Sequence, residues 1–79
     1  LATDADVIDA RGLKCPLPVL KLEKRLAELA PGTVVTVLAT DPMAKIDIPL
    51  HCRQHGHLYM QDESEGAMRF VVTKREPAL

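Results

Sequence analysis

Val19, Leu22, Leu26 and Leu29 recur every three or four positions, Leu20, Ala27 and Ala30 widen the stripe, and Lys21, Glu23, Lys24, Arg25 and Glu28 take the other side. That period predicts a helix from Pro16 to Ala30 with one apolar face, ended by Pro31-Gly32. From Thr33 to Thr40 the run is almost continuously apolar and rich in β-branched residues, the pattern of a strand covered by helices on at least one face. Asp41-Pro42 breaks it. A second helix is predicted within Met43 to His55, with Gly56 as its C-terminal cap residue; Pro49 either occupies its first turn, capped by Asp47, or kinks a longer helix that begins earlier. His57 to Asp62 and Ala67 to Lys74 alternate as strands around a Glu63-Ser64-Glu65-Gly66 turn, and Val7-Ile8-Asp9 supplies a short, weakly marked first strand.

The element order is therefore βαβαββ, in one domain over residues 1–79. Right-handed crossovers make the first three strands parallel and lay both helices along one face of the sheet. The carboxyl ends of the strands then bring Cys15, the Asp41-Pro42-Met43 loop and the Glu63–Gly66 turn to one rim, with His51, His55 and His57 at the other.

Composition narrows the function. With Tyr59 and Phe70 the only aromatic residues, the core is aliphatic and a base-stacking surface is not expected; the net charge of −1 argues equally against direct nucleic-acid binding. Basic residues nevertheless crowd the stretch from Arg11 to Arg25, either as a solvated helix face or as a docking surface for an acidic partner, for which Arg11, Lys14, Lys21 and Lys24 are the candidates. Two cysteines do not make a disulfide framework, and no apolar run is long enough to span a bilayer. A reduced, cytoplasmic setting without membrane contact is expected.

The segment Cys15-Pro16-Leu17-Pro18 carries the candidate chemistry. Proline suits a first helical turn, so Pro16 at the first helical position makes Cys15 the N-cap and turns its thiol toward the positive end of the helix dipole. Together with Lys14 and Arg11, this predicts a thiol pKa below the ordinary value of about 8.5. Pro16 and Pro18 lack amide protons, which leaves the Leu17 amide to support a sulfur anion. No nearby base is expected. Asp41, Pro42, Asp47 and Pro49 are assigned to helix capping and chain direction. His51, Cys52, His55 and His57 contain metal-ligand spacings, but such spacings arise readily by chance, and Cys52, four residues after Ile48, reads as core filling. No metal or cofactor is expected.

Taken in order, Asp9-Ala10-Arg11-Gly12-Leu13-Lys14-Cys15-Pro16-Leu17-Pro18, Pro31-Gly32, Asp41-Pro42, Asp47-Ile48-Pro49 and Gly56-His57 resemble the TusA family of sulfur-carrier proteins, also called SirA-like, with its CPxP motif. The resemblance covers nearly the whole chain. It implies an α+β two-layer sandwich of two helices on a mixed four-stranded sheet of order 1-2-4-3, the last strand antiparallel and inserted between the second and third, similar to the C-terminal domain of the third bacterial translation initiation factor. It also implies a sulfurtransferase-type carrier: Cys15 accepts a sulfane sulfur as a persulfide from a cysteine desulfurase or a rhodanese and passes it to a cysteine of an acceptor of the TusD/DsrE-like kind. Destinations in relatives are tRNA thiolation, molybdenum-cofactor supply and sulfur oxidation. Leu17 stands where some relatives carry an acidic residue. The alternatives are a non-catalytic regulatory or binding module, which would survive Cys15→Ser, and a thiol redox switch using both cysteines.

Overall fold

In the strand Val34–Ala39, Val35, Val37 and Ala39 point inward and are fully buried, while Val34, Thr36 and Leu38 face the other side; a period of two thus makes a nearly continuous apolar run into a strand with one covered face. The computed structural model describes residues 6–75, so residues 1–5 and 76–79 of the expected domain lie outside it. Within it the order is β1 (Asp6–Ala10), α1 (Leu17–Ala27), β2 (Val34–Ala39), α2 (Ala44–His55), β3 (Leu58–Ser64) and β4 (Ala67–Thr73). The sheet order is β1-β2-β4-β3, with β1 parallel to β2 and β4 antiparallel to both neighbours. This is the mixed α+β arrangement expected. One core joins Ala10, Val35, Val37, Ala39, Met68, Phe70 and Val72 of the sheet to Leu22 and Leu26 of α1 and Ala44, Ile48 and Cys52 of α2. Cys52 is thus core filling, as its spacing from Ile48 indicated.

The helix α1 is shorter than the apolar stripe suggested. Leu20, Ala27 and Ala30 are exposed, so the buried seam narrows to Pro18, Leu22 and Leu26. The Glu28 and Leu29 amides donate to Arg25 and Leu26 in a tightened last turn, after which the ammonium of Lys74 donates to the Leu26 and Leu29 carbonyl oxygens at 2.6 and 2.7 Å. A cation there answers both the orphan carbonyls and the negative end of the dipole. Lys74→Met is expected to cost about 1–2 kcal/mol, read as a lower urea midpoint with an unchanged slope. An unchanged midpoint would remove this cap from the account.

Of the two starts considered for α2, the structure takes the earlier. Ala44, Lys45 and Ile46 donate to the carbonyls of Asp41, Pro42 and Met43, and Pro49 is buried inside the helix. Gly56 closes it with φ of 77°, while the His57 amide donates to Cys52 O. The hairpin is tighter than expected. Glu63 and Ser64 belong to β3, and only Glu65 and Gly66, both at positive φ, make the turn.

Candidate functional site

The chain leaves β1 through Gly12, whose φ of 81° favours glycine and whose amide donates to Thr40 Oγ1 at 2.9 Å. Three residues later the Cys15 amide donates to Asp41 Oδ2 at 2.6 Å, and the other Asp41 oxygen accepts from the Met43 amide. One carboxylate therefore clamps the Cys15 loop to the start of α2. The Cys15–Pro16 peptide is cis, Pro16 is the N-cap of α1, and Pro18 is buried as an anchor. Cys15 is one residue further out than the N-cap position expected, because Pro16 is not yet helical. It remains exposed.

The thiol itself donates to Asp47 Oδ2 on the first turn of α2. This contact corrects the assignment of Asp47 to capping alone and the expectation that no base lies near the sulfur. It also reverses the expected direction of the Cys15 pKa. The hydrogen bond to Asp47 holds the thiol above its ordinary value, followed by partial desolvation and the negative charges of Asp47 and Asp41. One of the two cations expected to oppose this is engaged elsewhere. Arg11 makes a two-point pair with Asp9 at 2.8 and 2.9 Å, which pulls the Asp9 carboxyl down to about 2. The Leu17 amide does not support sulfur either, since it donates to Lys14 O at 2.8 Å.

The sign of the pH dependence follows. A carboxylate that accepts from the thiol favours the protonated form, so thiolate forms only at raised pH. In Asp47→Asn the anionic acceptor is gone, and the midpoint for alkylation of Cys15 by iodoacetamide is expected to move down, with labelling several-fold faster at neutral pH. A midpoint that stays in place or rises would contradict the pairing.

The rim around this thiol combines apolar and charged surface. Leu17 and Leu20 on the first turn of α1, Met43 at the N-cap of α2, Ile46 on its first turn and Leu50 on its second are all exposed large hydrophobic residues. Sequence periodicity assigned Leu20 to the core and missed this collar; the excess of leucines over what the helix seam buries was the available signal. Next to it, Thr40, Pro42, Lys45, Glu63 and Gly66 line a groove of about 250 Å³, which brings the β2–α2 loop and the hairpin together as the topology required. Among the basic candidates, Lys14 precedes Cys15 and is exposed, whereas Lys21 and Lys24 line a separate groove between α1 and β1 with Val7, Asp9 and Glu28. Arg11 is exposed but paired with Asp9. The four do not form one patch around the thiol.

No helix among the described residues is long and apolar enough to cross a membrane. The chain is 45% identical over 69 residues to the sulfur carrier protein TusA of Pseudomonas entomophila, covering 86% of each chain. It is 41% identical over 70 residues to the protein of the same name from Pseudomonas aeruginosa, covering 87% of this chain and 89% of that one. The crystal structure of a SirA-like protein from Desulfitobacterium hafniense superposes with a TM-score of 0.83 at 31% identity, over 91% of this chain and all of that one. The family described as Sulfurtransferase TusA matches residues 6–74, which span every element from β1 to β4, and the chain belongs to this family of sulfur carriers.

Proposed function

We propose that Cys15 is the residue that carries sulfur, as a persulfide received from one protein and delivered to a cysteine of another. The observation that supports this reading most directly is an exposed thiol hydrogen-bonded to a carboxylate, held between two helices that expose apolar side chains on their first turns. In the loading step the Cys15 proton passes to Asp47 as the sulfur attacks the outer sulfur of the donor's persulfide. A new S–S bond forms on Cys15, the donor's S–S bond breaks, and its electron pair leaves on the donor cysteine, which then takes up a proton. No net oxidation or reduction occurs. Delivery runs the same exchange with an acceptor thiol attacking the outer sulfur and Cys15 leaving as thiolate, reprotonated with Asp47 as its partner.

A thiol kept protonated at rest suits a carrier. It is shielded from adventitious oxidation yet has a proton acceptor in place when a partner's persulfide arrives. The collar of Leu17, Leu20, Met43, Ile46 and Leu50 gives that partner an apolar surface to cover, with Lys14 as a neighbouring charge. A cysteine desulfurase or a rhodanese fits the donor's chemistry, and a TusD/DsrE-like protein that of an acceptor; tRNA thiolation, molybdenum-cofactor supply and sulfur oxidation are the pathways such a carrier serves. Direct contact with nucleic acid, a bound cofactor or a membrane is not part of this reading, and its setting is the cytoplasm. Cys52 takes no part: it is fully buried, and desolvation pushes its thiol up to about 11, which favours the carrier over a two-cysteine switch.

Incubation with a cysteine desulfurase and free cysteine tests the proposal. Intact-mass measurement is expected to show a gain of one sulfur atom, reversed by dithiothreitol and blocked by prior alkylation of Cys15. No gain with any competent persulfide donor would count for a binding module instead.

A further inference from the structure

The helices α1 and α2 meet again away from Cys15. There Glu23 of α1 faces His51 and His55 of α2, and one ligand atom from each of the three lies within 4.8 Å of the other two. We infer that Glu23, His51 and His55 bind a first-row divalent transition ion of the zinc class. The two histidines stand one helical turn apart on one helix face, with ring centroids 4.4 Å apart, and the carboxylate comes from a different element, so the cluster is a product of tertiary packing. Around a tetrahedral zinc ion, bonds of about 2.0–2.1 Å place ligand atoms roughly 3.3 Å apart. Modest rotation of the exposed Glu23 and His55 side chains closes the difference.

The surroundings define the rest of the site. Leu26 and Ala27 line the same groove, of about 180 Å³, together with His57 and Lys74. Lys74 directs its ammonium at the Leu26 and Leu29 carbonyl oxygens. His57 accepts from the Arg75 amide at Nδ1, which in the neutral ring leaves the proton on Nε2. It is therefore a donor at Nε2, with ring centroids 6.2 Å from both other histidines, suited to hydrogen-bond a carboxylate or a metal-bound water and not to bind the ion. Two imidazoles and one carboxylate leave a fourth position for water. Cys52, the remaining ligand-type residue of this segment, is buried in the core and contributes nothing.

The sequence alone could not supply this set, because its third member lies on α1. His51 and His55 follow Asp47 by one and two turns of α2, so an ion held there would staple together the two helices whose starts present Cys15 and Asp47, without touching the sulfur. The site is independent of the sulfur-carrier reading.

The test uses the tag-free protein, reduced with a phosphine, and Zn²⁺ competed against a chromophoric chelator. One equivalent is expected to bind with micromolar or tighter affinity and to raise the melting temperature. Glu23→Gln and the double variant His51→Gln/His55→Gln are expected to weaken binding by roughly tenfold or more while their metal-free melting curves stay close to the parent. Cys15→Ser is expected to bind as the parent does. Zinc lost in Cys15→Ser and kept in the histidine variant would overturn the assignment by placing the ion on the thiol. So would a failure of the parent to bind at ~100 μM, where a three-ligand site should fill.

Discussion

Cys15→Ser is expected to abolish sulfur loading outright while leaving the melting temperature of the protein essentially unchanged. Cys15 is exposed and its amide, not its side chain, makes the clamp to Asp41, so a serine keeps the loop in place. A hydroxyl cannot form or hold a persulfide, and the loss is complete rather than partial. The control is Cys52→Ala, which removes the other thiol from the core without adding a polar group and should load as the parent does. A Cys15→Ser protein that still gained one sulfur atom, reversibly and in full, would place the chemistry elsewhere. Retained tertiary structure in the same variant, read from its thermal melt, separates a chemical loss from a folding one.

The second large effect is on stability. Phe70 is fully buried on β4, paired across the sheet with Val37 of β2 on one side and Gln61 of β3 on the other. It leads the large, fully buried side chains in volume, in a core whose other buried members are aliphatic apart from Cys52 and Met68. Phe70→Ala removes most of that side chain and leaves a cavity, at an expected cost of about 3–5 kcal/mol. Small domains carry roughly 5–15 kcal/mol in total, so the variant should be largely unfolded at temperatures the parent survives. Phe70→Leu, which refills most of the volume, should lose much less and keep a cooperative urea transition. Equal losses in the two variants would mean that the core tolerates a void at this position and that Phe70 is not its centre.

Much of the fold was legible because its central elements announce their period. The apolar stripe of α1 and the β-branched run of β2 identify those elements, and the helix-ending Gly56 and the glycine turn at Gly66 mark the breaks. Handedness of crossover then makes β1, β2 and β3 parallel. Nothing in the periodicity places β4 between β2 and β3; that order came with the family resemblance, and the structure has it. The boundaries that were misjudged have local causes. The stripe through Leu20, Ala27 and Ala30 is apolar but faces outward, and β3 runs on through Ser64 into residues read as turn; of the two starts left open for α2, the earlier is carried by backbone bonds to the carbonyls of Asp41, Pro42 and Met43 that no residue pattern marks.

The site divides in the same way. Cys15 and its prolines were visible as a motif, since proline's lack of an amide proton and its fixed φ act within a few residues. The electrostatics were not, because charges near in sequence were counted in place of charges near in space. Arg11 is paired with Asp9, while Asp47, 32 positions away from Cys15, reaches the sulfur. A residue read as a cap thus became the thiol's partner. The Glu23–His51–His55 cluster was hidden for the same reason: two members share a helix and the third arrives from another.

The most direct test of the account is to load the protein with isotopically heavy sulfur from a persulfide donor, desalt it, and map the label by peptide mass spectrometry before and after adding an acceptor thiol. The account predicts one heavy sulfur on the peptide containing Cys15, none on that containing Cys52, and its transfer to the acceptor with Cys15 returned to a free thiol. Label on Cys52, or a Cys15 adduct that no thiol can remove, would contradict it.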